Sequence, residues 1–150
     1  MTCLLLTGSE GLIGRSLSVY LNRQTILFKP FDLRLPSCHN GRGDILDKVA
    51  VKKALEGCSG VIHLAGTSRV ISGQKNPQQC LKHNVEGTTN ILDAIQESPC
   101  KPWVIYASSR EVYGQQETLP VRENAVLKPM NIYAQSKVAA EKKVLEARQE

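Results

Sequence analysis

Residues 3–14 read CLLLTGSEGLIG, an apolar run that ends in a glycine-bearing turn. From Leu12 to Asn22 the apolar residues stand at 12, 13, 17, 20 and 21, a helical spacing, so the segment reads as strand, turn and helix. In that context a glycine pattern has physical meaning. Gly8 makes the tight turn, Gly11 lets the backbone approach a pyrophosphate, and Gly14 lets the helix pack close to the sheet. An anion would then sit at the first residues of that helix, Leu12 and Ile13, where free N–H groups and the dipole favour negative charge. The spacing is GxxGxxG, and taken alone it fits a plain β-to-α turn equally well.

The rest of the chain repeats the same alternation. Thr25 to Phe31 reads as a second strand with Pro30 near its end. Leu33 to Gly43, rich in Gly and Pro, leaves room only for a very short third strand. Asp47 to Leu55 reads as a helix stopped by Gly57, and Gly60 to Ala65 as a buried strand. From Pro77 to Gln96 apolar residues recur at three- to four-residue steps, the pattern of a long helix with Pro77 in its first turn. Lys101 to Ser108 is the next strand, Ser109 to Pro129 a long loop, and Asn131 to Glu150 a charged helix. Strands alternating with helices predict an α/β fold of the Rossmann type, a doubly wound parallel sheet of about five strands with helices on both faces. Ligands of such sheets sit beyond the carboxyl ends of the strands.

The 150 residues amount to one domain. A 41% apolar and 22% charged composition is that of a globular chain. The net charge is +5, yet the basic residues never run longer than the pairs Lys52-Lys53 and Lys142-Lys143, which argues against a nucleic-acid surface. Five cysteines form no CxxC pair and no Cys/His metal spacing, which fits a reduced cytoplasm and gives no metal site. The N-terminus lacks a signal-peptide pattern, and no stretch nears the roughly 18 apolar residues of a membrane span. His63 reads as a packed core histidine; His39 and His83 have no ligand partners.

Two further features bear on chemistry. Asp32 ends the second strand, where a carboxylate accepts hydrogen bonds from adenosine ribose hydroxyls and repels a 2′-phosphate. NAD is therefore expected over NADP, with Arg34 nearby to soften the preference. Tyr133 and Lys137, in Tyr-Ala-Gln-Ser-Lys, fall on one face of the last helix. A tyrosine acting as a base near neutrality needs its pKa lowered by about 3 units, roughly 4 kcal/mol, which a neighbouring ammonium and a cationic nicotinamide can supply by stabilising the phenolate. The pair Ser108-Ser109 ends the preceding strand at the same edge of the sheet.

With these residues in place, the chain resembles the extended short-chain dehydrogenase/reductases, particularly the nucleotide-sugar epimerases and dehydratases. The likeness runs through TGSEGLIG, Asp32, Gly43-Asp44-Ile45, His63-Leu64-Ala65-Gly66, His83-Asn84-Val85-Glu86-Gly87-Thr88, Ser108-Ser109-Arg110-Glu111-Val112-Tyr113-Gly114, and Tyr133 with Lys137. The resemblance implies that Asp44 and Ile45 border the adenine, that Leu64, Ala65 and Gly66 pass beneath the cofactor, and that Asn84 faces it. It makes Ser109 the catalytic Ser/Thr position, Tyr133 the acid/base and Lys137 the ligand of the nicotinamide ribose. Tyr133 would take a proton from a sugar hydroxyl as its carbon gives hydride to NAD. One dehydratase type carries Thr-Asp-Glu before Val-Tyr-Gly; Ser109-Arg110-Glu111 lacks that aspartate. Glu111 is left open between an elimination or decarboxylation role and a surface carboxylate paired with Arg110.

In the family, further strands and a smaller sugar-nucleotide-binding domain follow the Tyr-Lys helix. The resemblance thus implies that the last strands and the C-terminal substrate domain are lacking, that the nucleotide-sugar site is largely missing, and that the last strand has an open edge. Self-association follows as an expectation, as a homodimer through helices 77–96 and 131–150. Two functional expectations stand: an NAD-dependent nucleotide-sugar oxidoreductase or epimerase, or a dinucleotide-binding module without turnover of its own.

Overall fold

The computed structural model describes residues 3–148; Gln149 and Glu150, expected at the end of the last helix, lie outside the described residues. Strand β1 (Cys3–Thr7) leads into α1 (Leu12–Arg23), followed by β2 (Leu27–Phe31), α2 (Lys48–Leu55) and β3 (Gly60–His63). Then come α3 (Val70–Lys75), α4 (Pro77–Leu81), a π-helical turn (Lys82–Glu86) and α5 (Gly87–Glu97). Strand β4 (Trp103–Tyr106), a 3-10 turn (Arg110–Tyr113) and α6 (Ile132–Ala147) complete the order.

Side-chain caps mark where several helices start. The Asp47 carboxylate accepts from the N–H groups of Val49 and Ala50 at α2. Asn76 caps α4, with Pro77 in the first turn, and Asn131 accepts from Ala134 N–H at α6. Each such cap contributes about 1 kcal/mol to fixing a helix start.

The four strands are parallel, in the order β2-β1-β3-β4. The chain turns back on itself between β1 and β3, so the crevice for a ligand opens at the carboxyl ends of those two strands. Register aligns Leu5, Val61 and Val104 in one row. That face packs with Phe31, Val51, Leu55, Ile91 and Ala94 into the main core beneath α2 and α5. The opposite face carries Leu4 and Leu6, which pack with Leu21 and Leu17 of α1. Along the row Leu6, Ile62 and Ile105 burial drains away: Leu6 is sealed and Ile105 is 55% exposed at the open β4 edge.

The doubly wound parallel architecture is as expected, with four strands among the described residues where about five were expected. The segment after β2 closes only an isolated bridge between Asp32 and Arg42. Its glycines and Pro36 supply turns at the cost of ladder hydrogen bonds. The long helix read from Pro77 is one helical run interrupted by the π turn, and α3 was not foreseen. No helix among the described residues is long and apolar enough to cross a membrane.

Candidate functional site

The glycine loop is locked by its backbone. Gly8 has φ +72°, its N–H donates to Phe31 O at 2.9 Å, and its carbonyl accepts from Gly11 N–H at 2.9 Å. A Cβ on Gly8 would lie 2.7 Å from the Leu64 and Ala65 backbone, and one on Gly14 would run into the Gly8 carbonyl oxygen. The loop is therefore pressed against the end of β3 on one side and against α1 on the other. Gly11 is the N-cap of α1, no side chain caps it, and its first turn holds no acidic residue. The Leu12 and Ile13 side chains are exposed, while the Ser9 hydroxyl is buried with no hydrogen-bond partner. An uncapped helix start with an orphaned buried hydroxyl beside it fits a phosphate-bearing ligand.

Asp32 stands just past the end of β2, 7% exposed. Its Oδ2 accepts from Glu10 N–H (2.9 Å) and Arg34 Nη2 (3.0 Å), and its Oδ1 from Arg34 N–H (2.9 Å) and Nε (3.1 Å). Burial by itself would raise the carboxyl's pKa. The hydrogen bonds from the Arg34 side chain, then from the Arg34 and Glu10 N–H groups, outweigh it and hold the group below the usual carboxylate range. Asp44, farther along, accepts from Leu46 N–H in a turn at 2.9 Å. Ile45 is buried against Gly87, in the core.

At the end of β3, Leu64, Ala65 and Gly66 lead away from the sheet under a cross-brace made by Asn84 of the π turn. Asn84 Nδ2 donates to Thr67 O (3.1 Å) and to Ser136 Oγ (2.8 Å), and its Oδ1 accepts from Thr67 N–H (2.7 Å). Ser136 Oγ in turn donates to Tyr133 O at 2.7 Å. The Asn84 amide is thus spent internally, tying the β3 loop to the Tyr133 turn of α6. π turns inside α-helices occur often at such functional positions. A second chain runs through His63. Thr88 Oγ1 donates to Asn84 O at 2.6 Å, so His63 Nε2 must donate to Thr88 (3.1 Å) and Nδ1 must accept from Thr7 Oγ1 (2.7 Å). Burial, and then the charge of Lys137, push the imidazole down to about 3, so it stays neutral.

Tyr133 and Lys137 are both buried on α6. The Lys137 ammonium donates to Ala107 O at 2.9 Å and lies 4.8 Å from the centroid of the Tyr106 ring. Burial pushes it down to about 8, against the pull of nearby Cys80 and Glu141, so it remains largely cationic at neutral pH. Ser109 caps the 3-10 turn, its Oγ accepting from Glu111 N–H at 3.2 Å, and its hydroxyl proton is not spent in that bond. Ser108 beside it is exposed. Glu111 Oε2 accepts from Asn131 Nδ2 at 3.1 Å and Oε1 lies 3.6 Å from Arg110, so the carboxylate braces the start of α6.

The structure thus brings Lys137 to the end of β4 and Asn84 to the end of β3, while Asp32 and the glycine loop form a second cluster at β1 and β2. Sequence reasoning missed Ser136, Thr67, Asn131 and Tyr106. Ser136 lies inside the Tyr-Ala-Gln-Ser-Lys segment, the one signal that it shares a helix turn with the site. Nothing local marks the others.

A model of the NAD dependent epimerase/dehydratase family matches residues 4–150. GDP-6-deoxy-D-mannose reductase of Pseudomonas aeruginosa is 36% identical over 92% of this chain and 44% of its own. UDP-glucose 4-epimerase of Lactobacillus helveticus is 34% identical over 67% of this chain and 31% of its own. Among solved structures, UDP-glucose 4-epimerase from Brucella ovis in complex with NAD superposes with TM-score 0.89 at 27% identity, covering 97% of this chain and 47% of that one. RMD from Pseudomonas aeruginosa complexed with NADPH superposes with TM-score 0.83 at 33% identity, covering 97% and 48%. The chain spans less than half the length of these relatives. With the glycine loop, Asp32 and the Tyr133–Lys137 turn set on this sheet, and the family match running from the first strand to the last residue, the chain belongs to the NAD dependent epimerase/dehydratase family.

Proposed function

We propose that this chain is the coenzyme-binding and hydride-transfer half of an NAD(P)-dependent enzyme acting on a nucleotide-linked sugar. One observation carries the reading. At the carboxyl ends of parallel strands, an uncapped helix start and Asp32 share an edge with a buried Lys137 one helical turn beyond Tyr133. The glycine loop would hold the pyrophosphate and Asp32 the adenosine ribose. When bound, the coenzyme supplies or accepts hydride at a sugar carbon.

Tyr133 exchanges the proton of the sugar hydroxyl, and the Lys137 cation one turn away stabilises the phenolate. Ala107 O and the Tyr106 ring hold that ammonium in place. Ser109 keeps its hydroxyl proton available for the reacting oxygen, since its Oγ accepts from Glu111 N–H. With Glu111 Oε2 accepting from Asn131 at the start of α6 and Oε1 facing Arg110, a bracing role is better supported for it than elimination or decarboxylation. A homodimer through the helical run 77–96, from α4 to α5, and the last helix 131–150, in the cytoplasm, belongs to the same proposal.

The test is turnover of GDP- and UDP-linked sugars with each coenzyme. Tyr133→Phe should abolish turnover and keep coenzyme binding; a Tyr133→Phe variant as active as the parent would remove the assignment. A second reading is favoured by the 55% exposure of Ile105 at the open β4 edge: these residues bind the dinucleotide and do not turn over alone. Binding without any sugar oxidation or reduction by the parent chain supports it.

A further inference from the structure

We infer that Cys3 and Cys58 form an oxidation site, a dithiol at the amino edge of the sheet that a peroxide converts reversibly to a disulfide. The backbone brings the two together. Ser59, next to Cys58, is pinned to Cys3 itself: its N–H and its Oγ both donate to Cys3 O, at 2.9 and 3.3 Å. With neighbouring strands about 4.8 Å apart and a rise of about 3.3 Å per residue, the Cys3 and Cys58 Cα atoms stand about 6 Å apart, inside the roughly 4.4–6.8 Å that a disulfide spans. Direction fits as well as distance. Gly57, at φ +69°, turns the chain out of α2, Cys58 N–H donates back to Leu55 O at 2.9 Å, and the Cys58 side chain enters the main core, 2% exposed. Cys3 packs against that same cluster from the first position of β1.

The two thiols are placed unequally, which sets their order. Cys3 is half-buried, so a peroxide reaches it first. Cys58 is sealed: burial, and then the neighbouring Cys3 thiol, push it up to about 11 against the pull of the Lys29 ammonium, so it stays a thiol. In the first step the Cys3 sulfur gives two electrons to the peroxide; the O–O bond breaks, an S–O bond forms, and water or an alcohol leaves. In the second the Cys58 sulfur displaces that hydroxyl; an S–S bond forms, the S–O bond breaks, and hydroxide takes the Cys58 proton away as water. In a reducing compartment the pair therefore rests as two thiols and closes only under oxidation. The closed loop holds β1, α1, β2 and α2, and the link lies at the edge of the sheet opposite the carboxyl ends. The other cysteines lack this arrangement: Cys38 and Cys100 are exposed, and the buried Cys80 thiol faces Ser136 Oγ at 3.6 Å.

The test is treatment of the whole chain with hydrogen peroxide, alkylation of the remaining thiols, and peptide mapping by mass spectrometry. The Cys3 peptide should be recovered joined to the Cys58 peptide and lighter by the two thiol hydrogens, and a dithiol reductant should separate them. In Cys38→Ser/Cys100→Ser, which removes the exposed thiols, the same link should form and raise the melting temperature by about 8 °C, because it restrains the unfolded chain. Cys3→Ser in that background should lose both the link and the rise. Unlinked Cys3 and Cys58 peptides from the parent, whether both stay reduced or Cys3 goes on to a sulfinic acid, would overturn the inference, as would a link through Cys80.

Discussion

The carboxyl ends of β1 and β2 and those of β3 and β4 hold their polar groups by opposite means. Around Asp32 the donors come from Arg34, two positions on, and from Glu10 of the glycine loop, 22 positions before, and half of them are backbone N–H groups. Around Lys137 the partners are distant in sequence and come from side chains or carbonyls of other elements: Ala107 for Lys137, Ser136 for Asn84, Thr88 for His63. The first region is set by backbone groups once β1 has paired with β2 and β3. The second is stiff only once β3, β4, the π turn and α6 have docked.

Gly14→Val is the most severe way to break the first region. The added side chain runs into the Gly8 carbonyl oxygen, backbone that has nowhere to move, and the expected loss is about 3 kcal/mol or more. Chemical denaturation measures it; a loss below 1 kcal/mol would mean that the loop is soft.

Asn84→Asp breaks the second region. A carboxylate cannot donate to Thr67 O or Ser136 Oγ, and it places a charge at a site 2% exposed. The expected destabilisation is about 2–3 kcal/mol, with unfolding followed by circular dichroism. A neutral result would show that the brace does not couple the β3 loop to α6.

These two variants also show what a sequence can disclose. The glycine loop and Asp32 were legible because the residue types themselves mark them, glycines between strand and helix and a carboxylate at the end of the next strand, although the bonds that hold them reach from Glu10 to Asp32 and from Gly8 to Phe31. The π turn within the predicted long helix was not, since the 3.6-residue periodicity passes through Lys82–Glu86 almost undisturbed. Helix α3 (VISGQK) was missed because its β-branched residues and glycine disfavour a helix locally. Tyr133 and Lys137 could be paired by spacing, while the carbonyl that anchors Lys137 and the ring beneath it required β4 to be in place.

A smaller effect concerns the buried ammonium. Burial holds folded Lys137 at about 8 against an ordinary 10.5, so between those values the unfolded chain binds the extra proton. The cost of burying the charge is fully present below about pH 8 and is relieved as pH rises toward 10.5. The parent should gain stability relative to Lys137→Met across that window, by denaturation at matched pH. A difference independent of pH would place the ammonium in water.

The smallest effect on stability is expected at the open edge. Ile105→Lys alters a side chain that is 55% exposed and should change folding by no more than about 0.5 kcal/mol. It should also leave association at high concentration unaltered in light scattering, because the proposed homodimer pairs the helices. Lowered association would move the interface to the strand edge, where unpaired backbone templates contacts.

Coenzyme binding by Asp32 tests the central claim most directly. In calorimetric titration the parent chain should bind NAD, and Asp32→Ala should weaken that binding at least about tenfold, the cost of lost charged hydrogen bonds to the ribose. Equal affinity of the two proteins for NAD, or no binding by the parent, would contradict the account.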